Sequence, residues 1–107
     1  MSWILKKEDK YTLYSPEFFD VSSLEESIKS FKTDVNKIID CSTLELSNTA
    51  IDLLAKAYDL HVSSRKSFVV IISDAEDMDA LEEYFVVVPT ISEAIEYIYM
   101  EELEKTL

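Results

Sequence analysis

Cys41 and His61 are the residue types in this chain best suited to nucleophilic catalysis, and each occurs once. A catalytic thiolate needs a base within hydrogen-bond reach, and the sequence alone does not bring this pair together. Cys41 directly follows an apolar stretch, which favours the role of a small core side chain. His61 lies late in a helical segment, where a histidine more often interacts with the helix end or packs at the core edge. We therefore expect no Cys–His enzyme.

The carboxylates are abundant, but their spacing fits neither a calcium loop nor an acid–base pair. An EF-hand loop beginning at Asp74 would place Asp79 where glycine is required and Phe85 where glutamate is required. The carboxylate pairs at 82–83 and 101–102 lie in charged, solvated stretches, whereas an acid–base pair needs a pocket that raises the pKa of one member. We expect no metal, no cofactor and no enzymatic activity.

Residue types that are missing exclude further functions. The chain has no glycine, whereas the phosphate-binding loops of nucleotide sites need glycine so that the backbone can approach the ligand. One cysteine and one histidine also exclude zinc sites built on several cysteines or histidines. A single cysteine forms no internal disulfide, which fits a reducing compartment.

The net charge of −12 is unevenly distributed. Residues 1–66 carry nine basic and eleven acidic side chains, whereas residues 67–107 carry eleven acidic side chains and only Lys105. This acidic half would repel phosphates, so we expect no nucleic-acid partner and no binding to anionic membranes. A basic protein partner is compatible with it, although a solvated acidic face that keeps the protein soluble is the simpler interpretation.

The length of 107 residues and the 48% apolar content favour one domain over residues 1–107. No stretch approaches the roughly 20 apolar residues of a membrane span. The apolar stretch at the start of the sequence is too short for the hydrophobic region of a signal peptide. These features lead us to expect a cytoplasmic protein.

The hydrophobic periodicity predicts the element order ββαβαβαβα. An N-terminal hairpin at 2–15 precedes a core at about 20–104. The predicted core elements are a helix at 23–32, a strand at 36–41, a largely buried helix at 47–64, a strand at 67–73, a short acidic helix or loop at 74–84, a strand at 85–89 and a helix at 90–104. This order predicts an α/β fold with a mixed, mostly parallel sheet of four or five strands and about four helices.

The last helix leaves two interpretations open. Its consecutive apolar residues, Tyr97 to Met100, point to more than one side of a helix. They are either a core face with tyrosines at its edge, or a core face together with a surface that meets a partner or a second copy. A weak homodimer through this helix is therefore one expectation.

Four segments in this order resemble the STAS domain of bacterial anti-sigma-factor antagonists and anion-transporter tails. They are the strand NKIIDCSTLE, the helix AIDLLAKAYDLHVSS, the strand KSFVVIIS and the ending VVVPTISEAIEYI. Asp40-Cys41-Ser42 matches the end of the family's strand, and the segment 89–94 matches its closing proline turn and helix start. The resemblance covers about residues 20–104 and implies a non-catalytic domain that binds another protein, such as an anti-sigma factor or a kinase-like regulator.

The chain departs from this family at the regulatory loop. Where the family carries Asp-Ser-Ser-Gly, this sequence has Ser47-Asn48-Thr49-Ala50, so the phosphorylated serine falls on Asn48. Ser47 or Thr49 would take that role only with a shifted geometry. Ser47 and Asn48 are also ordinary helix N-cap residues.

The candidate contact or switch residues are Ser42, Ser47, Asn48 and Thr49. We expect the chain to act through the loop 42–49 and the start of the following helix, with the acidic stretch 74–83 as a further contact. The alternative is a sensing domain that binds an apolar or anionic metabolite between the sheet and the helices.

Overall fold

The computed structural model describes residues 3–7, 10–16, 35–43 and 46–105. Its strands are β1 (Trp3–Lys7), β2 (Thr12–Pro16), β3 (Lys37–Asp40), β4 (Phe68–Ile71) and β5 (Val86–Val88). Its helices are α1 (Asn48–Ser63), α2 (Ala75–Leu81) and α3 (Ile91–Lys105). The helix predicted at 23–32 lies outside the described residues.

The strands form one sheet in the order β1-β2-β3-β4-β5. β1 and β2 pair antiparallel, with Leu5 opposite Tyr14, and the remaining neighbours pair parallel. Ile38 lies opposite Val69, and Val70 lies opposite Val87. The predicted mixed, mostly parallel sheet is confirmed. The parallel pairs β3–β4 and β4–β5 follow from the helices between their strands, because a parallel connection needs a long crossover.

β4 is buried on both faces, as the continuous apolar run of residues 67–73 predicts. Alternate side chains divide between two cores, one on each face of the sheet. One core contains the sheet residues Phe68, Val70, Ile39 and Cys41 and the α1 residues Ala50, Leu54 and Ala57. The other core contains the sheet residues Val69, Ile71 and Ile38 and the α3 residues Ala94 and Ile98. The helices α1 and α3 therefore lie on opposite faces of the sheet.

α1 begins with a side-chain cap and ends with a left-handed residue. The Ser47 hydroxyl accepts a hydrogen bond of 3.1 Å from the Ala50 amide, which satisfies one of the open amides of the first turn. At the other end, Arg65 has φ of 62°. The Arg65 and Lys66 amides donate to the carbonyls of Val62 and His61, which is the Schellman arrangement that glycine usually supplies.

The prediction that α1 is largely buried is wrong. Leu60 and Val62 are 58% and 51% exposed. The reason is geometric: α1 lies against one face of a sheet, so a single stripe makes the contact. That stripe comprises Ala50, Leu54, Ala57 and His61.

α3 begins where the sequence predicts it. The Thr90 hydroxyl accepts a 3.2 Å hydrogen bond from the Glu93 amide, as a capping serine or threonine does. The stretch 74–84, for which helix and loop were both open, forms the short helix α2 followed by a turn into β5.

Candidate functional site

The turn after β3 is held by two serines. The Asp40 carboxylate accepts hydrogen bonds from the Ser42 amide at 3.1 Å and from the Ser42 hydroxyl at 2.6 Å. The Ser73 hydroxyl, from the segment after β4, donates to the Ser42 carbonyl at 2.9 Å. Ser42 therefore ties the carboxyl ends of the two central strands together, and its half-buried hydroxyl already donates to Asp40.

The other three candidate residues come together at the exposed start of α1. Ser47 is the N-cap, and Asn48 and Thr49 open the first turn. All three are exposed. The first turn holds no acidic side chain. The structure thus separates the candidates into an anchoring residue, Ser42, and an exposed group of three.

Cys41 and His61 are not brought together. Cys41 follows the carboxyl end of β3, whereas His61 contacts Lys37 at the amino end of the same strand. A strand rises about 3.3 Å per residue, so the backbone from Lys37 to Cys41 spans about 13 Å. Burial, with a smaller contribution from the Asp40 charge, also raises the pKa of the Cys41 thiol. The geometry and the protonated thiol both oppose a Cys–His pair.

A buried polar pair that sequence reasoning missed lies at the amino end of β3. Lys37 and His61 are both fully buried, and Lys37 Nζ lies 2.9 Å from His61 Nε2. Of the two roles expected for His61, packing at the core edge is wrong, because the ring lies inside, tilted at 47° against Phe68 with 4.9 Å between ring centroids. Strand alternation places Lys37 on the α1 face with Ile39 and Cys41. That alternation was the available signal.

Asn36 extends this polar region toward α3. Its Nδ2 donates to the Lys10 carbonyl and to Glu102 Oε1, both at 2.8 Å. Its Oδ1 accepts from the Ser67 amide at 2.8 Å. The hydrogen bond from Asn36 holds the pKa of Glu102 below its usual value. One asparagine thus joins the starts of β2 and β4 to the last turns of α3, which is a structural role.

One open cleft of about 300 Å³ lies beside the edge strand β5. It is lined by Tyr58 and by residues 82–87. Its two glutamates, Glu82 and Glu83, give it a negative rim that does not suit an anionic ligand. Within the described parts of the chain, no three His, Cys, Asp or Glu side chains form a group that would hold a metal ion.

Comparison with known proteins identifies the fold. No protein-family model and no curated protein match the sequence. The crystal structure of a "putative anti-sigma factor antagonist", TM1081 of Thermotoga maritima, matches with a TM-score of 0.68 at 15% identity, covering 91% of this chain and 94% of that one. The NMR structure of the protein TM1081 matches with a TM-score of 0.65 at 14% identity, covering 89% of this chain and 86% of that one.

The chain has a STAS-like fold. The resemblance carried by the strand ends and the closing proline turn is thereby confirmed at the level of fold. In this STAS-like fold the exposed group Ser47, Asn48 and Thr49 opens the helix that follows β3. The role of these residues stays a prediction. Among the described residues, no helix combines the length and the apolar character needed to cross a bilayer.

Proposed function

We propose that this STAS-like domain is a non-catalytic regulator that binds another protein through the loop 42–49 and the first turn of α1. The observation that carries the proposal is the exposed group Ser47, Asn48 and Thr49 on a fold shared with a protein described as an anti-sigma factor antagonist. The partner class that follows is an anti-sigma factor or a kinase-like regulator.

The local structure supports a contact surface more than a switch. The Ser42 turn is tied to Asp40 and Ser73, and the Ser47 hydroxyl caps α1, so these two residues are held in place before any partner arrives. A preformed surface binds with less loss of conformational entropy than a loop that must first become ordered. The Asn48 side chain offers both hydrogen-bond donors and acceptors to a partner. It has no hydroxyl group that a kinase could phosphorylate.

Phosphorylation, if it regulates this surface, falls on Ser47 or Thr49. Ser47 uses its hydroxyl as the cap acceptor, and a phosphate there would still meet the positive end of the helix dipole. Intact-mass analysis of the protein from its native host tests this directly. A phosphate adduct that maps to residues 42–49 supports the switch, and its absence under all growth conditions removes it.

The binding surface is tested by adding one positive charge at a chosen end of α1. Asn48→Arg and Thr49→Arg place a long charged side chain on the exposed first turn. Ser63→Arg places the same side chain on the exposed last turn of the same helix and is the matched control. We expect affinity purification to recover a stoichiometric partner with the unmodified protein and with Ser63→Arg, and to lose it with the other two variants.

All variants must first unfold at a similar denaturant concentration, so that a lost partner reports a lost contact. Equal recovery with Asn48→Arg and Ser63→Arg would contradict the proposed surface.

The second candidate function, metabolite sensing, rests on the cleft beside β5. Its acidic rim favours an apolar or cationic ligand over an anionic one. Recovery of no partner, combined with thermal stabilisation by a metabolite fraction that Tyr58→Ala abolishes, would favour that function.

A further inference from the structure

α3 buries one face and exposes an apolar stripe on the other. Ala94 and Ile98 are fully buried against the sheet, whereas Tyr99, Met100 and Leu103 are 49%, 64% and 63% exposed. At about 100° per residue, these three side chains share one arc opposite the buried pair. Their spacing of three and four residues forms a short stripe that covers about one turn of the helix. A second helix can pack its side chains along such a stripe.

The stripe is surrounded by negative charge. Exposed glutamates lie within and beside it, at positions 93, 96 and 104. Residues 67–107 contain eleven acidic side chains and only Lys105, and Lys105 Nζ lies 3.7 Å from Glu102 on the same helix. We name this surface, with Tyr99, Met100, Leu103 and the three glutamates, the outer face of α3.

We propose that the outer face of α3 is a docking surface for a basic amphipathic helix of a partner protein. Tyrosine and methionine are enriched at the cores of protein interfaces, and methionine adapts its shape to different partners. An apolar stripe on the partner covers the three exposed side chains, and lysines or arginines beside that stripe meet the glutamates. Complementary charge of this kind speeds association and excludes wrong partners.

A second copy of the chain is not complementary in charge to the same surface. Two outer faces would bring glutamates against glutamates, and like charges across an interface cost several kcal/mol. The weak homodimer expected from the sequence is therefore disfavoured, on the grounds of charge.

The outer face of α3 is separate from the loop 42–49. α1 packs against the sheet face that carries Ile39 and Val70, and α3 packs against the face that carries Ile38 and Val69. A protein seated on the start of α1 therefore leaves α3 accessible. The domain can hold two proteins at once, one on each side of its sheet.

The probe for this surface is a synthetic helical peptide of about 18 residues, long enough to form a helix once docked. It carries leucines on one face and lysines beside them, with a fluorophore at one end. A scrambled peptide of the same composition has the same charge but no apolar face. Fluorescence anisotropy with the full chain at about 0.15 M salt, where long-range charge effects are screened, measures both dissociation constants.

We expect the amphipathic peptide to bind at least about tenfold more tightly than the scrambled one. Leu103→Asn should lower the affinity for the amphipathic peptide by about tenfold, which is the effect of losing one well-packed contact. Leu60→Asn is the matched control, because Leu60 is a leucine of similar exposure, 58% against 63%, on the helix at the opposite sheet face. It should leave the affinity unchanged.

Equal affinity for the two peptides would overturn the proposal, since charge alone would then explain binding. Equal loss with Leu60→Asn and Leu103→Asn would overturn it too. Sedimentation equilibrium of the chain alone gives the remaining outcome. A dimer that Leu103→Asn dissociates would assign the outer face of α3 to a second copy instead. None of these results depends on whether Asn48 contacts a partner, so the two proposals fail separately.

Discussion

Lys37 Nζ lies 2.9 Å from His61 Nε2, and the contact joins the amino end of β3 to the last turn of α1 inside the core. His61 Nδ1 lies 2.6 Å from the Ala57 carbonyl oxygen, which can only accept a hydrogen bond. The ring therefore carries its proton on Nδ1, which leaves Nε2 as the acceptor of a hydrogen bond from Lys37 Nζ.

Replacing His61 with phenylalanine should destabilise the protein strongly. The variant keeps a ring against Phe68 but removes one hydrogen-bond acceptor from the buried Lys37 Nζ. A lost partner for a buried polar group costs about 1–3 kcal/mol, and more for a charged one. Urea denaturation of H61F, K37M and the double variant measures the effect. We expect the double variant to be more stable than the sum of the single effects predicts, because it removes both polar groups together.

Lys56→Met is the control for this cycle, since Lys56 is an exposed lysine on the same helix. It should change the free energy of unfolding by no more than about 0.5 kcal/mol. Additive single effects, within about 0.5 kcal/mol, would show that the Lys37–His61 contact does not couple the two residues energetically.

Glu102 should make stability depend on acidity. The Asn36 hydrogen bond lowers the pKa of Glu102 in the folded protein below the ordinary value of 4.5. Its contribution is therefore fully present above that value and is lost as the pH falls through the lowered folded pKa. The stability difference between the unmodified protein and Glu102→Gln should be clear at neutral pH and shrink toward zero in acid.

The neutral-pH difference should not exceed about 1 kcal/mol, because the carboxylate is 30% exposed and water weakens the contact. Glu104→Gln removes the same charge from the exposed side of α3 and corrects for the change in net charge. A Glu102 effect that persists unchanged at low pH would mean that packing, and not the carboxylate hydrogen bond, supports this position.

Arg65→Gly should stabilise the protein. Arg65 has φ of 62°, a region where the Cβ atom of an ordinary residue crowds the backbone at a cost of roughly 1–2 kcal/mol. Glycine removes that strain but adds freedom to the unfolded chain. We expect a net gain of about 0.5–1 kcal/mol in the free energy of unfolding, seen as a rise of several degrees in Tm.

The neighbouring Ser64→Gly supplies the comparison, since Ser64 has φ of −89° and no such strain to relieve. It should lower stability by about 0.5–1 kcal/mol through the unfolded state alone. If both glycine variants were destabilised equally, the left-handed conformation of Arg65 would carry no strain.

Cys41 should be inert in the folded protein. The thiol is buried, and burial raises its pKa, so the reactive thiolate is scarce at neutral pH. A thiol-reactive dye should label the folded chain far more slowly than the chain unfolded in urea, where the thiol regains an ordinary pKa near 8.5. Fast labelling of the folded chain would contradict this prediction and would indicate a reactive thiol at Cys41.

Much of the fold follows from the sequence, because strands and helices leave different spacings of apolar residues. The β-branched run at 67–73 predicts a central strand, and β4 is buried on both faces. The polar residues Ser47 and Thr90 predict helix starts, and both hydroxyls accept the expected amide hydrogen bonds. These are local properties, set within one or two turns of the chain.

The tertiary structure alone decided where the unusual polar groups lie. Lys37 reads as a charged residue at a strand start, but β3 is an inner strand, and its amino end lies beneath α1 and beside Phe68. The sequence predicts a largely buried α1, yet Leu60 and Val62 are exposed because a sheet contacts only one stripe of this helix. Whether a side chain meets water depends on the elements packed around it, and those elements are distant in the sequence.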